Sequence, residues 1–374
     1  MSQISHAGAR LRAGILGATG AVGQTFVRLL AGHPLFEITA VAASERSAGK
    51  RYDEAATWIS DAELDPAVAA MTVRLVGEEL PCDVLFSGLD AAVAGDAEAD
   101  AARRGYVVVS NARNHRMAAD VPLLVPEVNP DHLALADRQA WGGAAGGDAG
   151  GIIVTNPNCS TVGLVVALRP LHDAFGVEAV HVVTMQALSG AGYPGVPSLD
   201  ILGNVVPFIV GEEEKMAVET RKILGTLGAA GVEDADIVVS AQCCRVPVLD
   251  GHTEAVSVRF RAPASPEDVV ACLREWRSPL AGMNLPTAPE APIVVFDDPR
   301  YPQPRRHAGL GRGMTVSVGR VQACPAMAPA GRGAKFVVLS HNTVRGAAGG
   351  AILNAELLHA QGRLPRREAA AHGA

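Results

Sequence analysis

The sequence predicts an α/β protein in which a doubly wound parallel sheet is followed by an α+β mixed sheet. Two observations predict this fold. Up to about residue 160, short apolar strand-like runs are separated by helix-compatible segments, the pattern of a parallel sheet covered on both faces. In the middle of the chain, several strand-like runs alternate polar and apolar residues, which indicates a mixed or antiparallel sheet with one face packed on helices. A length of 374 residues fits two domains.

The first part is predicted to contain five strands and two helices before a cysteine-containing turn. An apolar stripe at a helical spacing, formed by Val22, Phe26 and Leu30 among others, predicts a helix over 21–32. A second helix-compatible segment covers 90–105, and the Gly/Ala-rich stretch 141–151 is interpreted as a loop or a flexible insertion. The predicted strands are 11–17, 36–44, 82–88, 106–111 and 152–156.

The second part begins with an apolar helix after residue 159 and is then dominated by strands. A long helix is predicted over 345–362, and the tail that follows it is expected to be frayed or disordered. The predicted strands are 177–186, 236–246, 254–260 and 314–321.

Composition excludes several classes of protein. A formal net charge of -7 without a basic cluster argues against nucleic-acid binding. The six cysteines show no metal-ligand spacing, so we expect reduced thiols and no metal site. The N-terminus lacks the apolar core of a signal peptide, and no run of about 18 apolar residues suggests a membrane span. We therefore expect a cytoplasmic protein.

A glycine motif, GATGAVG, follows the first predicted strand and precedes the first predicted helix. Gly17, Gly20 and Gly23 there allow a tight turn and let a pyrophosphate approach the free N–H groups of the helix. The spacing is GxxGxxG, which on its own is a weak signal, but its position between strand and helix predicts a Rossmann-type dinucleotide site.

The end of the second predicted strand should contact the adenosine ribose of a bound dinucleotide. The residues there are Ser44, Glu45, Arg46 and Ser47, and two hydroxyl groups around an arginine suit the 2′-phosphate of NADP. Glu45 keeps NAD open as the alternative, because a carboxylate can bind a free 2′-hydroxyl.

Cys159 lies in the run Asn-Pro-Asn-Cys-Ser-Thr, where a strand turns into an apolar helix. The positive end of the helix dipole and the free N–H groups favour a thiolate, the species that attacks carbonyl groups. The same N–H groups, with the Asn158 amide, could stabilise an oxyanion. His252, at the start of an alternating strand, is the candidate general base and acid, and His341 is the next choice.

Eight segments together resemble the aspartate-β-semialdehyde dehydrogenase family of the archaeal and fungal type, in consistent order from about residue 11 to 360. They are GILGATGAVGQ, SNARNHRM, PNCST, QALSGAGYPGVPSLDIL, VPFIVGEEEKM, RVPVLDGHTEAVSV, GLGRGMTVSVGR and HNTVRGAAGGAILNAE. The resemblance implies domains at 1–158 (NADP-binding, Rossmann-type), 159–340 (catalytic and dimerisation) and 341–374 (a C-terminal helix packing back on the first domain, with a frayed tail). It also implies a homodimer or homotetramer.

The resemblance also implies residue roles. Cys159 is the expected nucleophile and His252 the acid/base. The expected substrate-binding residues are Arg116, Asn158, Gln186, Glu212, Lys215 and Arg245. Among these, Arg245 would bind the substrate α-carboxylate, Glu212 the amine, and Lys215 with Arg116 the phosphate. Glu213 is the rival of Glu212, and the alternative for the whole acidic run is an exposed helix start. The expected NADP-binding residues are Gly17, Thr19, Gly20, Ala21, Val22, Ser44, Arg46, Ser47, Ser189, Gly190 and Asn342.

The activity implied is the NADPH-dependent reduction of L-4-aspartyl phosphate to L-aspartate 4-semialdehyde through a thioester on Cys159, in the biosynthesis of lysine, threonine and methionine. One alternative is a reductase of another activated acyl group, such as malonyl-CoA, on the same scaffold. Another is a non-catalytic NADP-binding sensor, which would keep the glycine motif but would not need Cys159 with Arg245 and His252.

Overall fold

The computed structural model describes residues 9–141, 150–328 and 331–367 and contains two six-stranded sheets. Most of the Gly/Ala-rich stretch interpreted as a loop lies outside the described residues, and so do the first eight residues and the end of the tail. Within the described ranges, none of the helices combines the length and the apolar character needed to cross a bilayer.

The first sheet is parallel throughout, and its strand order is β3-β2-β1-β4-β5-β6. The order reverses between β1 and β4, which opens a crevice at the carboxyl ends of these strands, where dinucleotides bind in such sheets. The fold class expected from the sequence is confirmed here. The strands are β1 (Leu11–Leu16), β2 (Phe36–Ala43), β3 (Arg74–Leu75), β4 (Val84–Ser87), β5 (Val107–Ser110) and β6 (Ile152–Thr155).

Four α-helices and one 3₁₀ helix accompany this sheet. The two predicted helices are confirmed as α1 and α4, and Phe26, Val27 and Leu30 of α1 pack into the core beside β1 and β2. Strand β3 and the short helices were missed because two to four residues carry no readable periodicity. The helices are α1 (Ala21–Leu30), α2 (Tyr52–Ala55), α3 (Pro66–Ala69), α4 (Ala91–Arg103) and the 3₁₀ helix Pro130–Arg138.

The second sheet is mixed, as predicted, with strand order β10-β7-β11-β14-β13-β12. Its outermost pairs, β10 with β7 and β12 with β13, are parallel, and the three inner pairs are antiparallel. Strands β12 and β14 were not predicted. The strands are β7 (Val177–Gln186), β10 (Val238–Arg245), β11 (His252–Phe260), β12 (Ile293–Phe296), β13 (Val316–Ala323) and β14 (Gly333–Ser340), and the separate hairpin is β8 (Thr226–Leu227) with β9 (Val232–Glu233).

One long helix, α5 (Cys159–Phe175), connects the two sheets. It begins at the carboxyl end of β6, and its apolar body is buried against the mixed sheet in a core that includes Val182, Val256 and Phe336. The other helices of this part are α6 (Ser198–Ile201), α7 (Glu212–Ile223), α8 (Pro266–Glu275) and α9 (Pro304–His307), and the 3₁₀ helices are Leu188–Ala191 and Leu310–Gly313.

The predicted C-terminal helix is divided into two pieces. A π-helical turn, Val344–Ala348, precedes α10 (Gly349–Ala360), whose buried residues lie in the same apolar core as β1, β4 and β5. This packing supports the predicted return of the C-terminal helix to the first sheet. The domain bounds 1–158, 159–340 and 341–374 remain a proposal.

Candidate active site

The candidate nucleophile is the first residue of α5. Asn158 is the N-cap of this helix, and its side-chain oxygen accepts hydrogen bonds from the backbone N–H groups of Ser160 (3.0 Å) and Thr161 (3.4 Å). The cap begins the helix at Cys159 and places its half-buried thiol at the carboxyl edge of the parallel sheet. Cys159 therefore lies at a helix N-terminus, the position that the sequence predicted for it.

Neighbouring strands of the mixed sheet bring three predicted residues to one end of that sheet. Arg245 and Gln186 are register partners at the ends of β10 and β7, and His252 begins β11, which pairs with β7 from the other side. All three side chains are buried. Because all three residues lie at the same end of the sheet, they come together in one site although they are far apart in the sequence.

Cys159 and His252 are in direct contact, with 3.2 Å between Sγ and Nε2. The other ring nitrogen, Nδ1, accepts a hydrogen bond of 3.0 Å from the backbone N–H of Ala187. A nitrogen that accepts from an N–H carries no proton, so the neutral imidazole holds its proton on Nε2, facing the sulfur. His341, the alternative base, instead places its Nδ1 3.4 Å from the Thr343 hydroxyl.

The protonation state of the pair differs from the expectation at the sequence level. Burial, with a further contribution from the Glu212 carboxylate, raises the pKa of Cys159 to about 12, although Arg245 and Arg116 act in the opposite direction. Burial, followed by the charge of Arg245, lowers the pKa of His252 to about 3. The helix N-terminus alone therefore does not produce a thiolate here, because loss of solvation outweighs it.

Glu212, the first residue of α7, lies at the centre of a hydrogen-bond cluster. Its carboxylate accepts from Asn158 Nδ2 (2.7 Å), Lys215 Nζ (2.8 Å) and Gln186 Nε2 (3.3 Å). Burial opposes its ionisation, but these bonds outweigh burial and lower the pKa of Glu212. An ionised carboxylate beside the cysteine is the result.

Glu213, the rival position, points elsewhere. Its carboxylate accepts a hydrogen bond of 3.0 Å from the backbone N–H of Cys243 on β10. The expectation of an exposed helix start applies to Glu214 but not to Glu212, which is only 7% exposed.

Arg116 lies in the loop after β5, and its guanidinium is buried. Its Nη1 donates to Glu219 Oε1 (2.8 Å), and its Nη2 donates to the backbone oxygen of Asn111 (2.7 Å). Glu219, which the sequence did not single out, connects Arg116 to the start of α5, because it also accepts a hydrogen bond of 2.6 Å from the Asn158 backbone N–H. The sequence did hold one signal for Glu219. It lies seven residues after Glu212, which is two helical turns and therefore the same face of the helix.

Ser189, Gly190 and Asn342 lie beside the contact between Cys159 and His252. Asn342 Nδ2 donates to Ser189 Oγ at 2.8 Å. A Cβ atom on Gly190 would lie 2.8 Å from Arg245 Nη1 and 3.1 Å from His252 Nε2, so only glycine leaves both groups in place.

The π-helical turn packs directly on the nucleophile, which sequence reasoning did not foresee. A Cβ atom on Gly346 would lie 2.8 Å from the Cα, Cβ and backbone oxygen of Cys159. The turn is held by Arg345, whose guanidinium forms a buried bidentate ion pair with Glu127 at 2.5 and 2.9 Å. In the sequence, the only sign of this packing was a run of small residues beside the charged Arg345.

The glycine loop between β1 and α1 forms a compact backbone turn. Gly17 has φ +71°, and a Cβ on Gly23 would lie 2.2 Å from the Gly17 backbone oxygen. Gly20 is the N-cap of α1 and offers no side-chain hydrogen bond, so the free N–H groups at Ala21 and Val22 remain available to a phosphate. These features fit a dinucleotide pyrophosphate.

Two residues that sequence reasoning missed support this loop. Tyr52 donates its hydroxyl to the backbone oxygen of Ala18 at 2.8 Å. Gln24 donates to the backbone oxygen of Thr19 at 3.0 Å. Both side chains are buried, and an isolated tyrosine or glutamine gives no sequence signal for such a role.

The residues expected at the adenosine end lie directly after β2. Ser44, Glu45 and Arg46 are exposed, and Ser47, which is buried, closes the turn by donating its backbone N–H to the Ser44 oxygen at 2.9 Å. An exposed guanidinium at the carboxyl end of β2 fits a 2′-phosphate. This group and the glycine loop share one edge of the parallel sheet with Cys159.

Comparisons with known proteins agree with this geometry. Residues 12–136 match the family described as semialdehyde dehydrogenase, NAD binding domain, and residues 168–345 match semialdehyde dehydrogenase, dimerisation domain. The chain is 49% identical to the aspartate-semialdehyde dehydrogenase of Archaeoglobus fulgidus, over 93% of this chain and 98% of the relative. It is 47% identical to the enzyme of that name from Candida albicans, over 94% of this chain and 98% of the relative.

Solved structures give the same result. The Candida albicans aspartate semialdehyde dehydrogenase crystallised with NADP superposes with a TM-score of 0.86 at 46% identity, covering 95% of this chain and 100% of that one. The Vibrio cholerae aspartate semialdehyde dehydrogenase II complexed with ASA gives a TM-score of 0.73 at 31% identity, covering 94% and 99%.

Proposed function

The chain belongs to the aspartate-semialdehyde dehydrogenase family, and from this premise we infer the chemistry of its site. It is an NADP-dependent oxidoreductase that reduces L-4-aspartyl phosphate to L-aspartate 4-semialdehyde with release of phosphate. In cells this reaction serves the biosynthesis of lysine, threonine and methionine.

The observation that carries the mechanism is the 3.2 Å contact between Cys159 Sγ and His252 Nε2 at the N-terminus of α5. We propose that the Cys159 thiol first loses its proton to solvent and that the thiolate then attacks the acyl phosphate carbonyl, so that the C–S bond forms, the C–O bond to phosphate breaks, and a thioester remains. The backbone N–H of Cys159, which the Asn158 cap does not engage, then stabilises the oxyanion of the tetrahedral centre, together with the second N–H of the Asn158 side-chain amide.

His252 serves this chemistry by holding a proton on Nε2. The Ala187 N–H at Nδ1 fixes this tautomer, so the imidazole donates to the thiolate before attack and to the carbonyl oxygen afterwards. Collapse of the reduced tetrahedral centre expels the thiolate again, and the cysteine is ready for another cycle. His252 therefore acts first as a hydrogen-bond donor, which is one part of the acid/base role expected from the sequence.

Charge complementarity supports the substrate assignments. The Arg245 guanidinium suits the α-carboxylate, and the Glu212 carboxylate suits the α-ammonium group of an aspartyl substrate. An ammonium group beside Glu212 would also cancel the charge that raises the pKa of Cys159. We assign Gln186 to the acyl carbonyl, and Lys215 and Arg116 to the phosphate.

The cofactor completes the site. When bound, NADPH supplies the hydride that reduces the thioester. We propose that the glycine loop holds the pyrophosphate, through Gly17, Thr19, Gly20, Ala21 and Val22. Ser44, Arg46 and Ser47 would contact the 2′-phosphate, and Ser189, Gly190 and Asn342 would lie at the nicotinamide end beside Cys159.

Glu212 argues against a malonyl-CoA reductase. A malonyl group carries no amine, so a buried ionised carboxylate beside the nucleophile would face the substrate without a counter-charge.

We propose that two copies associate through an exposed apolar surface of the mixed-sheet part, since the matched family is described as a dimerisation domain. We call this surface the apolar face. Its residues are Tyr193, Leu199, Leu202, Val205, Phe208 and Val210, with Val238 on the edge strand β10. An apolar patch of this kind is typical of an interface that is covered in the assembly. A tetramer remains the alternative, and the cytoplasmic location stays a prediction.

The assay that tests the proposed function is the reduction of NADP by L-aspartate semialdehyde, with and without phosphate, in wild type and in Cys159→Ala. The function predicts phosphate-dependent NADP reduction in wild type and none in the variant. Folded wild-type protein that is inactive with this aldehyde but reduces malonyl-CoA would refute the substrate assignment.

A further inference from the structure

Helix α7 presents a charged face to the protein interior. Four residues at spacings of three, four and three share this face, because such spacings bring side chains to the same side of a helix. In a surface helix these charges would contact water, but here three of the four are less than a tenth exposed. The four residues are Glu212, Lys215, Glu219 and Lys222.

Glu219 and Lys222 are the members of this face that no substrate or cofactor assignment uses, and Glu219 is the one that bonds the Arg116 guanidinium. One carboxylate oxygen accepts from Arg116 Nη1 at 2.8 Å, and the other accepts from the backbone N–H of Asn158 at 2.6 Å. Glu219 is only 2% exposed, so both bonds are shielded from water. A single carboxylate thus joins the buried arginine to the residue that precedes the nucleophile.

Lys222 fixes the same arginine at its backbone. Its ammonium group donates to the backbone oxygens of Arg116 (2.7 Å), Ala118 (2.8 Å) and Val121 (3.1 Å). Helix α7 therefore holds Arg116 at both its main chain and its guanidinium group. The Arg116 Nε atom is buried and has no hydrogen-bond partner among the described residues.

We propose that Glu219 is a positioning residue that sets the Arg116 guanidinium relative to Cys159, so that the phosphate group and the attacked carbonyl carbon are held in one geometry. This inference rests on the proposed function, in which Arg116 binds the phosphate. Glu219 contacts neither substrate nor sulfur and acts through Arg116 and Asn158.

The reason for a carboxylate at this position is the number of donors that face it. Arg116 and the Asn158 backbone both donate, and a carboxylate accepts from both with separate oxygens. A glutamine of nearly the same shape has one oxygen and one NH₂ group, so its NH₂ group would face a donor. Glu219→Gln therefore breaks one of the two contacts with little change in volume.

The test measures NADP reduction by L-aspartate semialdehyde in Glu219→Gln at varied phosphate concentration. We expect the KM for phosphate to rise about tenfold or more, the usual effect of losing a hydrogen bond to a charged group. The KM for the aldehyde should change much less. Glu214→Gln, which makes the same charge change at an exposed position of the same helix, is the matched control and should keep the wild-type KM for phosphate.

A double-mutant cycle with Arg116→Ala separates the possible failures. If Glu219 acts through Arg116, then Glu219→Gln raises the KM for phosphate far less in the Arg116→Ala background. An unchanged KM for phosphate in Arg116→Ala would overturn the assignment of Arg116 in the proposed function. If the KM for phosphate is raised in Arg116→Ala but equals that of wild type in folded Glu219→Gln, the positioning role of Glu219 is overturned.

Glu219→Asp keeps the inference testable if the glutamine variant does not fold. Aspartate retains both acceptor oxygens on a shorter side chain, so the KM for phosphate should rise less than is expected for Glu219→Gln. A wild-type KM for phosphate in folded Glu219→Asp would contradict the proposal in that case.

Discussion

At the scale of single residues, the chemistry depends on hydrogen bonds that set the state of each group. Ala187 donates its backbone N–H to His252 Nδ1, which leaves the ring proton on Nε2, opposite the Cys159 sulfur. A protonated ring would lose the Ala187 bond and would face the Arg245 charge in a buried position. The structure therefore keeps the imidazole neutral.

The neutral state of His252 predicts how stability depends on pH. Burial, with the Arg245 charge, lowers the pKa of His252 from 6.5 to about 3, so between these values the unfolded chain binds a proton that the folded protein does not. The free energy of unfolding should therefore fall as pH drops below 6.5, by at most about 1.4 kcal/mol per pH unit from this group. Urea unfolding of wild type and His252→Gln between about pH 6 and 4.5 measures this, and the variant should show the shallower fall. If the free energy of unfolding falls equally with pH in wild type and in His252→Gln, the lowered pKa of His252 is contradicted.

At the scale of elements, strand β11 carries a second buried titratable group on the same face as His252. Glu254 is 1% exposed, and both of its carboxylate oxygens are buried with no partner among the described residues. Burial raises the pKa of Glu254 well above 4.5, so this side chain holds its proton to a higher pH in the folded protein than in the unfolded chain.

Replacing this carboxyl group should remove a loss of stability that grows as pH rises above 4.5. The pKa of Glu254 is raised in the folded state, so its contribution to stability is full below 4.5 and is lost as pH rises toward its folded pKa. Glu254→Gln keeps the shape and has no such loss. The free energy of unfolding of the variant, minus that of wild type, should increase between about pH 5 and 8, measured by urea unfolding at each pH. A difference that does not change with pH would show that Glu254 is ionised in the fold.

The strands that position the site were predictable because each is long enough to show an apolar pattern. Strand β7 was predicted with its observed bounds, and the turn at Cys159 was readable from its strand, cap and helix. The charged face of α7 was not readable, because Glu219 and Lys222 at helical spacing resemble a solvated surface. The same holds for the π-helical turn, since the contact of Gly346 with Cys159 joins segments almost two hundred residues apart.

At the scale of the whole molecule, α5 joins the two sheets into one site. Its N-terminus lies at the carboxyl edge of the parallel sheet with the glycine loop, and its body packs on the mixed sheet that supplies Arg245, Gln186 and His252. In the proposed function, ligand groups bound at either sheet would therefore meet at the first residue of one helix. The apolar face lies on the mixed-sheet part.

The apolar face predicts a measurable assembly. Phe208 and Val210 are 61% and 79% exposed in the single chain, so replacing both with aspartate should place two charges in the interface and dissociate the copies. Sedimentation equilibrium should then give a mass near the 38.6 kDa of one chain, against at least twice that for wild type. Val93→Asp, at an exposed apolar position on α4, is the control and should keep the wild-type mass. A double variant with the wild-type mass would place the interface elsewhere.

The central claim is that the reaction passes through a covalent thioester on Cys159, and a rapid-mixing experiment without phosphate tests it most directly. Enzyme mixed with NADP and L-aspartate semialdehyde should form about one NADPH per active subunit in a burst and then stop, because no phosphate is present to release the acyl group. Added phosphate should restart turnover, and Cys159→Ala should show no burst. Steady turnover without phosphate, or a burst that persists in Cys159→Ala, would contradict the account.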